Sequence, residues 1–167
     1  MVVAVRAYVG LGSNLGDPVS QVTRALEELD LLSGTRCVVH SGLYRSAPMG
    51  TGDQPEYINA VAALDTERDA HGLFQALMEI EARHGRVRDH QRWGPRTLDL
   101  DLLIFGALVM RDEQLTLPHP GLLERNFVLY PLYEIAPGLD IPGAGPIERA
   151  IERCSPHGID PVAPARC

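Results

Sequence analysis

The sequence predicts an α+β fold, an antiparallel sheet that carries two helices on one face. Three observations lead there. Short apolar or alternating runs recur at residues 2–9, 37–44, 57–64 and 98–105. Two longer segments, opening at Asp17 and Asp69, carry apolar residues at helical spacing. Their order along the chain is β-α-β-β-α-β, the ferredoxin-like plan, whose second sheet face is free to carry a site.

Residues 2–9 alternate apolar side chains with Arg6 and Tyr8, as a strand does. Residues 10–16, Gly-Leu-Gly-Ser-Asn-Leu-Gly, are expected to form a loop whose amides can line a site. The last glycine is one residue too far for Gly-x-Gly-x-x-Gly, and the element order is wrong for a dinucleotide-binding unit. Asp17-Pro18 opens the first helix as N-cap and first helical residue. Val19, Val22, Leu26 and Leu29 then share a face. Residues 37–44 form the second strand, residues 46–55 a Gly/Pro/Asp/Thr-rich loop, and residues 57–64 the third strand. Residues 69–84 form the second helix, with Leu73, Leu77 and Ile80 inward and Gly85 ending it. An Arg-rich loop leads to the fourth strand at 98–105. Residues 106–154 add a C-terminal hairpin and short helices near 127–135 and 146–153. Residues 1–154 are read as one catalytic domain, and 155–167 as a disordered, proline-bearing tail.

At 167 residues, 45% hydrophobic and 22% charged, the chain can bury a full single-domain core. Its net charge of −7 argues against nucleic acid or an anionic membrane as a partner. All 15 basic residues are arginine, which excludes lysine-based phosphate loops and Schiff bases. Cys37, Cys154 and Cys167 form neither a metal pattern nor a disulfide framework. The N-terminus lacks the basic region of a signal peptide, and no run is long enough to span a membrane. A cytoplasmic monomer is expected.

Residues 85–101 carry the chemistry: Gly-Arg-Val-Arg-Asp-His-Gln-Arg-Trp-Gly-Pro-Arg-Thr-Leu-Asp-Leu-Asp. On a strand, Asp99 and Asp101 point the same way. Two carboxylates so placed repel each other, and a divalent cation resolves the conflict. Magnesium suits, because it takes one or two protein carboxylates together with substrate phosphates and water. Arg83, Arg86, Arg88, Arg92 and Arg96 fall within fourteen residues containing one acid, Asp89, a positive island suited to polyphosphate. The plain alternative is a solvated Arg-rich loop before an edge strand. Trp93, in a polar loop, suits a stacking plate, and Gly85 and Gly94-Pro95 bracket a segment expected to close as a lid. Asn59, in an otherwise apolar strand, needs hydrogen-bond partners and suits the edge of a heterocycle.

These segments together resemble the 6-hydroxymethyl-7,8-dihydropterin pyrophosphokinase family. The likeness runs through Gly-Ser-Asn-Leu at 12–15, Tyr44-Arg45-Ser46, and Asp53-Gln54-Pro55-Glu56-Tyr57-Ile58-Asn59-Ala60. It continues through Glu81, Arg86, Arg88, the string from Arg92 to Asp101, Leu117-Pro118-His119-Pro120 and residues 131–137. The string Arg-Trp-Gly-Pro-Arg-Thr-Leu-Asp-Leu-Asp is the most specific part. Ala47, Met49 and Gln114 depart from the family's commoner proline, leucine and basic residue.

The resemblance implies transfer of pyrophosphate from ATP to the hydroxymethyl group of the dihydropterin in folate biosynthesis, releasing AMP. It implies two Mg2+ ions bridged by Asp99 and Asp101, with Arg86 and Arg96 joining them in catalysis. It implies pterin contacts from Ser46, Ala47, Met49, Tyr57, Asn59 and Phe127. It implies ATP contacts from Glu81, Arg86, Arg88, Trp93, Arg96, Leu102, His119 and Arg125. Two other readings stay open on the residues. One is a palm-type metal-dependent nucleotidyltransferase, which would release pyrophosphate rather than AMP. The other is a non-catalytic ferredoxin-like ligand-binding domain, which would not need the aspartate pair.

Overall fold

The computed structural model describes residues 3–47, 55–85 and 98–162. In chain order the first elements are β1 (Val5–Ser13), α1 (Pro18–Asp30), β2 (Thr35–His40), β3 (Tyr44–Ser46), β4 (Tyr57–Thr66), α2 (Ala70–Arg83) and β5 (Asp99–Phe105). After them come β6 (Met110–Arg111), β7 (Thr116–Leu117), α3 (Asn126–Ile135), β8 (Asp140–Ile141), β9 (Gly145–Pro146), α4 (Ile147–Arg153) and β10 (Ile159–Pro161). The main sheet runs β10-β3-β4-β1-β5, with β2 also beside β4, and its pairs are antiparallel. β6 pairs with β7 and β8 with β9 as two small hairpins.

The helices start where the sequence places their caps. Asp17 accepts the Ser20 N–H at 3.3 Å, and Pro18 supplies the first helical residue of α1. Asp69 accepts the Gly72 N–H at 2.7 Å at the start of α2. Gly85, just past the end of α2, has φ +79°, a conformation glycine adopts without a steric penalty. The two helices bury Val22, Ala25, Leu26, Leu29, Leu73, Leu77 and Ile80 against Val9, Leu11, Ala60, Ala62, Leu100 and Leu102 of the sheet. Val19 is 42% exposed, contrary to its expected inward place, because it lies in the first turn, ahead of the buried stripe.

A second core covers part of the opposite face. Val128, Leu129 and Leu132 of α3 and Ile147 of α4 cluster there with Tyr8, Val61, Ala63, Leu103 and Ile104. The register between β1 and β5 shifts at Tyr8/Val9, so that Tyr8 faces Ile104 and Val9 faces Leu102. This bulge lets consecutive Leu103 and Ile104 both enter the second core. The face expected to stay free is therefore partly covered, away from the end that holds Asp99.

Three further expectations are corrected. Residues 10–13 are not a loop but the end of β1, because β4 pairs with all four and β5 pairs with 10–12 from the other side. The strand expected at 37–44 is two strands, β2 and β3. Between them the chain leaves the ladder, with Ser41 Oγ accepting the Val61 N–H at 2.9 Å and the Gly42 N–H donating to Glu134 Oε2 at 3.0 Å. The segment expected to be a disordered tail from residue 155 contributes β10, because β3 leaves an open edge that its backbone can join. Among the described residues, no helix is long and apolar enough to cross a membrane.

Candidate active site

The ladder registers lay out the site. Gly12 pairs with Asn59 on β4 and with Asp99 on β5, and Gly10 pairs with Asp101. Directly paired residues in an antiparallel ladder share a face. Asn59, Gly12 and Asp99 therefore form one row, and Gly10 and Asp101 lie in a neighbouring row. On the other side of Asn59, Ser46 pairs with Tyr57. Adjacent strands lie about 4.8 Å apart, so the amide and the carboxylate stand about 10 Å apart across the backbone of Gly12. Asp99 and Asp101 are half-exposed on this face, while Leu100 and Leu102 are buried in the first core. Alternation on the strand thus puts the two acids together, as expected.

Asn59 is 4% exposed and hydrogen-bonded. Its Nδ2 donates to Ser46 Oγ at 2.8 Å and to the Tyr44 carbonyl at 3.3 Å. A carbonyl oxygen only accepts, so the amide orientation is fixed. Oδ1 is left toward Gly12, where an added Cβ would meet it at 3.3 Å. The site side of Asn59 is therefore an acceptor. Tyr44 in turn donates its phenol proton to Glu134 Oε1 on α3. Burial and the carboxylate beside it push the Tyr44 pKa up, so the phenol keeps its proton.

His119 meets the aspartates from the far side. Its N–H donates to the Leu103 carbonyl at 2.8 Å, and its Nδ1 accepts the Gly121 N–H at 3.0 Å. The neutral ring then carries its proton on Nε2, which lies 3.8 Å from Asp101 Oδ1. Burial lowers the His119 pKa; Asp101 opposes the shift and Arg125 adds to it. Arg125 is the residue just before α3, folded over Gly121 so closely that a Cβ there would lie 2.5 Å from its Nε.

Glu81, on α2, is 4% exposed and accepts the Leu100 N–H at 2.7 Å on β5, between the two aspartates. It holds the strand that presents them. Leu102 has its side chain in the first core, so it can offer a ligand only backbone atoms. Ser46 is buried, Ala47 is exposed beside it, and Phe127 is half-buried at the start of α3. Met49, Arg86, Arg88, Trp93 and Arg96, and the expected lid, lie outside the described residues.

The structure brings together Asp99, Asp101 and His119, and separately Ser46, Tyr57 and Asn59. Sequence reasoning missed the part played by Gly10 and Gly12, which read as turn residues. It also missed Asn14, buried and donating to the Pro55 carbonyl at 3.2 Å just before β4, and the Tyr44–Glu134 link. Among the described residues, no three His, Cys, Asp or Glu side chains gather as a metal set.

Residues 8–137 match the family described as 7,8-dihydro-6-hydroxymethylpterin-pyrophosphokinase (HPPK). The chain belongs to that family. Every site residue expected from the sequence falls within the matched HPPK span. A 2-amino-4-hydroxy-6-hydroxymethyldihydropteridine pyrophosphokinase of Methylorubrum extorquens is 46% identical over 157 residues, 94% of this chain and 98% of that protein. One of Pseudomonas aeruginosa is 46% identical over 155 residues, covering 93% of this chain and 95% of that protein. Among solved structures, a Plasmodium falciparum HPPK-DHPS with pteroate has a TM-score of 0.71 at 12% identity, a likeness of fold alone. The alignment covers 90% of this chain but only 42% of that longer one.

Proposed function

We propose that this protein transfers pyrophosphate from ATP to the hydroxymethyl group of 6-hydroxymethyl-7,8-dihydropterin and releases AMP. One observation carries the reading: the row Asn59–Gly12–Asp99, in a chain of the HPPK family. A planar bicycle fits a glycine-floored strip with an acceptor at one end and carboxylates at the other. The strand order with α1 and α2 on one face supports a ferredoxin-like scaffold for it.

In this reading Asn59 Oδ1 accepts an N–H from the aminopyrimidinone edge, and Tyr57, Phe127, Ser46, Ala47 and Met49 surround the ring. Glu81, Arg86, Arg88, Trp93, Arg96, Leu102, His119 and Arg125 take ATP. The donor set fits magnesium: two half-exposed carboxylates on one face, all oxygen, with room for phosphate and water. Asp99 and Asp101 would hold two Mg2+ ions, whose chemistry is neutralisation of the triphosphate. The hydroxymethyl oxygen forms a bond to the β-phosphorus as the bond from that phosphorus to the α-bridging oxygen breaks. AMP leaves with that oxygen, and the hydroxyl proton passes to a phosphate oxygen or to Asp101. His119, neutral with its proton on Nε2, can donate to a phosphate oxygen. Most of the rate then comes from positioning and from stabilised charge. All the residues invoked come from one chain, so a monomer suffices.

The test is mass spectrometry of purified protein with ATP, Mg2+ and the dihydropterin. AMP and a pterin diphosphate ester are expected together. Release of free pyrophosphate with a nucleotidylated product would replace this reading with nucleotidyl transfer.

A further inference from the structure

Helix α3 starts at the site and also holds the C-terminal segment. Arg125 and Phe127 flank Asn126, whose side chain points elsewhere. Asn126 Nδ2 donates to the carbonyls of Ser155, at 3.0 Å, and His157, at 2.8 Å. One turn further on, the Tyr130 phenol donates to the Cys154 carbonyl at 2.6 Å. Residues four apart share a helix face, so Asn126 and Tyr130 together grip three carbonyls of the chain leaving α4.

Two residues past His157, the same chain joins β3. Ile159 pairs with Ser46, Asp160 with Arg45 and Pro161 with Tyr44, and the Val162 N–H donates to the Leu43 carbonyl at 2.6 Å. Pro161 alternates with Val162 in the ladder, so its missing N–H is one that would face away from β3. Ser46, at the end of this pairing, is the residue that accepts from Asn59. The C-terminal end of α3 reaches the β2–β3 region through Glu134, which takes the Tyr44 phenol and the Gly42 N–H. The end that carries Phe127 reaches β3 through Asn126 and the segment it grips. That segment lies beyond residues 8–137, the span matched to the family.

We infer that residues 154–162 form a brace that fixes the separation of the two walls of the pterin subsite, Phe127 on α3 and Ser46 on β3. Asn126 is the positioning residue that anchors it. The inference rests on the proposed function for its ligand, but not for its geometry. The test compares the full chain with Asn126→Ala and with a chain ending at Cys154. Steady-state kinetics give KM for the dihydropterin, KM for ATP and kcat. Amide exchange of the ligand-free proteins reads Arg45, Val128 and Leu129. Loss of two hydrogen bonds that position a wall predicts a roughly five- to tenfold rise in KM for the dihydropterin. KM for ATP and kcat should stay at the full-chain level, and exchange at the three amides should quicken. Unchanged dihydropterin KM and unchanged exchange in Asn126→Ala would overturn the brace. Equal weakening of both substrates would also overturn it, since that marks general loosening. If the full chain does not turn over the dihydropterin, the functional reading fails by itself, and the exchange data still decide the brace.

Discussion

Asn59 and Asp99 face each other across Gly12, each paired with it from a neighbouring strand. The amide and the carboxylate thereby share one row, and the residue between them contributes no side chain of its own. A Cβ at Gly12 would meet Asn59 Oδ1 at 3.3 Å and Tyr57 Cδ1 at 3.7 Å. An alanine methyl there presses on Asn59, which must give by a few tenths of an ångström, and it also meets a ring lying on the strip. Gly12→Ala should raise KM for the dihydropterin by roughly ten- to a hundredfold, the scale of an overpacked contact. A wild-type KM would show that the substrate does not rest on this strip.

Asn59→Ala should weaken the dihydropterin selectively. The change removes an acceptor from the site and leaves Ser46 and the Tyr44 carbonyl without a donor they now use. A loss of about 1–3 kcal/mol is expected for the dihydropterin. Calorimetry with a non-hydrolysable ATP analogue should show little change. Equal losses for both ligands would count against the assigned orientation.

Asp99→Ala and Asp101→Ala should each lower kcat by at least about a hundredfold, as removal of charge stabilisation at a transition state does. The Asn variants keep the shape without the charge and should remain severely impaired. Dihydropterin binding without magnesium should persist. Near-normal turnover by either alanine variant at ordinary magnesium would remove the metal assignment.

Gly121→Ala should act through Arg125. The new methyl would occupy the place of the guanidinium stem, 2.5 Å from Nε, so the side chain must swing away. KM for ATP should rise severalfold with KM for the dihydropterin unchanged. An unchanged KM for ATP would place Arg125 outside the nucleotide's reach.

One pH dependence follows from the sheet. The Arg6 guanidinium, hydrogen-bonded to Asp65 at 2.6 Å, holds the Asp65 carboxyl below its ordinary value, with Arg36 adding a smaller effect. A carboxyl depressed in the folded state contributes stability above its unfolded pKa, near pH 4, and loses it as pH falls through the folded value. The pair is partly exposed, so the contribution is about 0.5 kcal/mol. Arg6→Gln should be less stable than the parent by that amount at neutral pH, and the two should converge in acid. Parallel denaturation curves down to low pH would contradict this.

The caps at Asp17 and Asp69, the buried helix stripes and the shared face of Asp99 and Asp101 were all legible in the sequence, because each depends on local geometry and fixed periodicity. Gly10 and Gly12 were not, because glycine signals a turn unless strands on both sides complete its ladder. The break between β2 and β3 depends on Ser41 and Gly42 finding partners on β4 and α3, far away in sequence. β10 has three residues, one of them proline, and no periodicity. Only the open edge of β3 gives it a place. Tyr44, Glu134 and Asn126 act through one or two long-range hydrogen bonds each, which leave no pattern along the chain.

The missing side chain at Gly12 also bears on inhibition. A flat competitive compound lying against Gly12 would touch main chain, which substitution cannot trim away, whereas Gly10 beside it is covered by the Leu103 side chain. A mutation at Gly12 can only add atoms, and the added atoms would obstruct the natural substrate as they obstruct the drug. Escape without loss of fitness would have to come from the rim, where Ser46, Ala47 and Phe127 can change shape one at a time. Compounds confined to the strip would leave resistance the fewest routes.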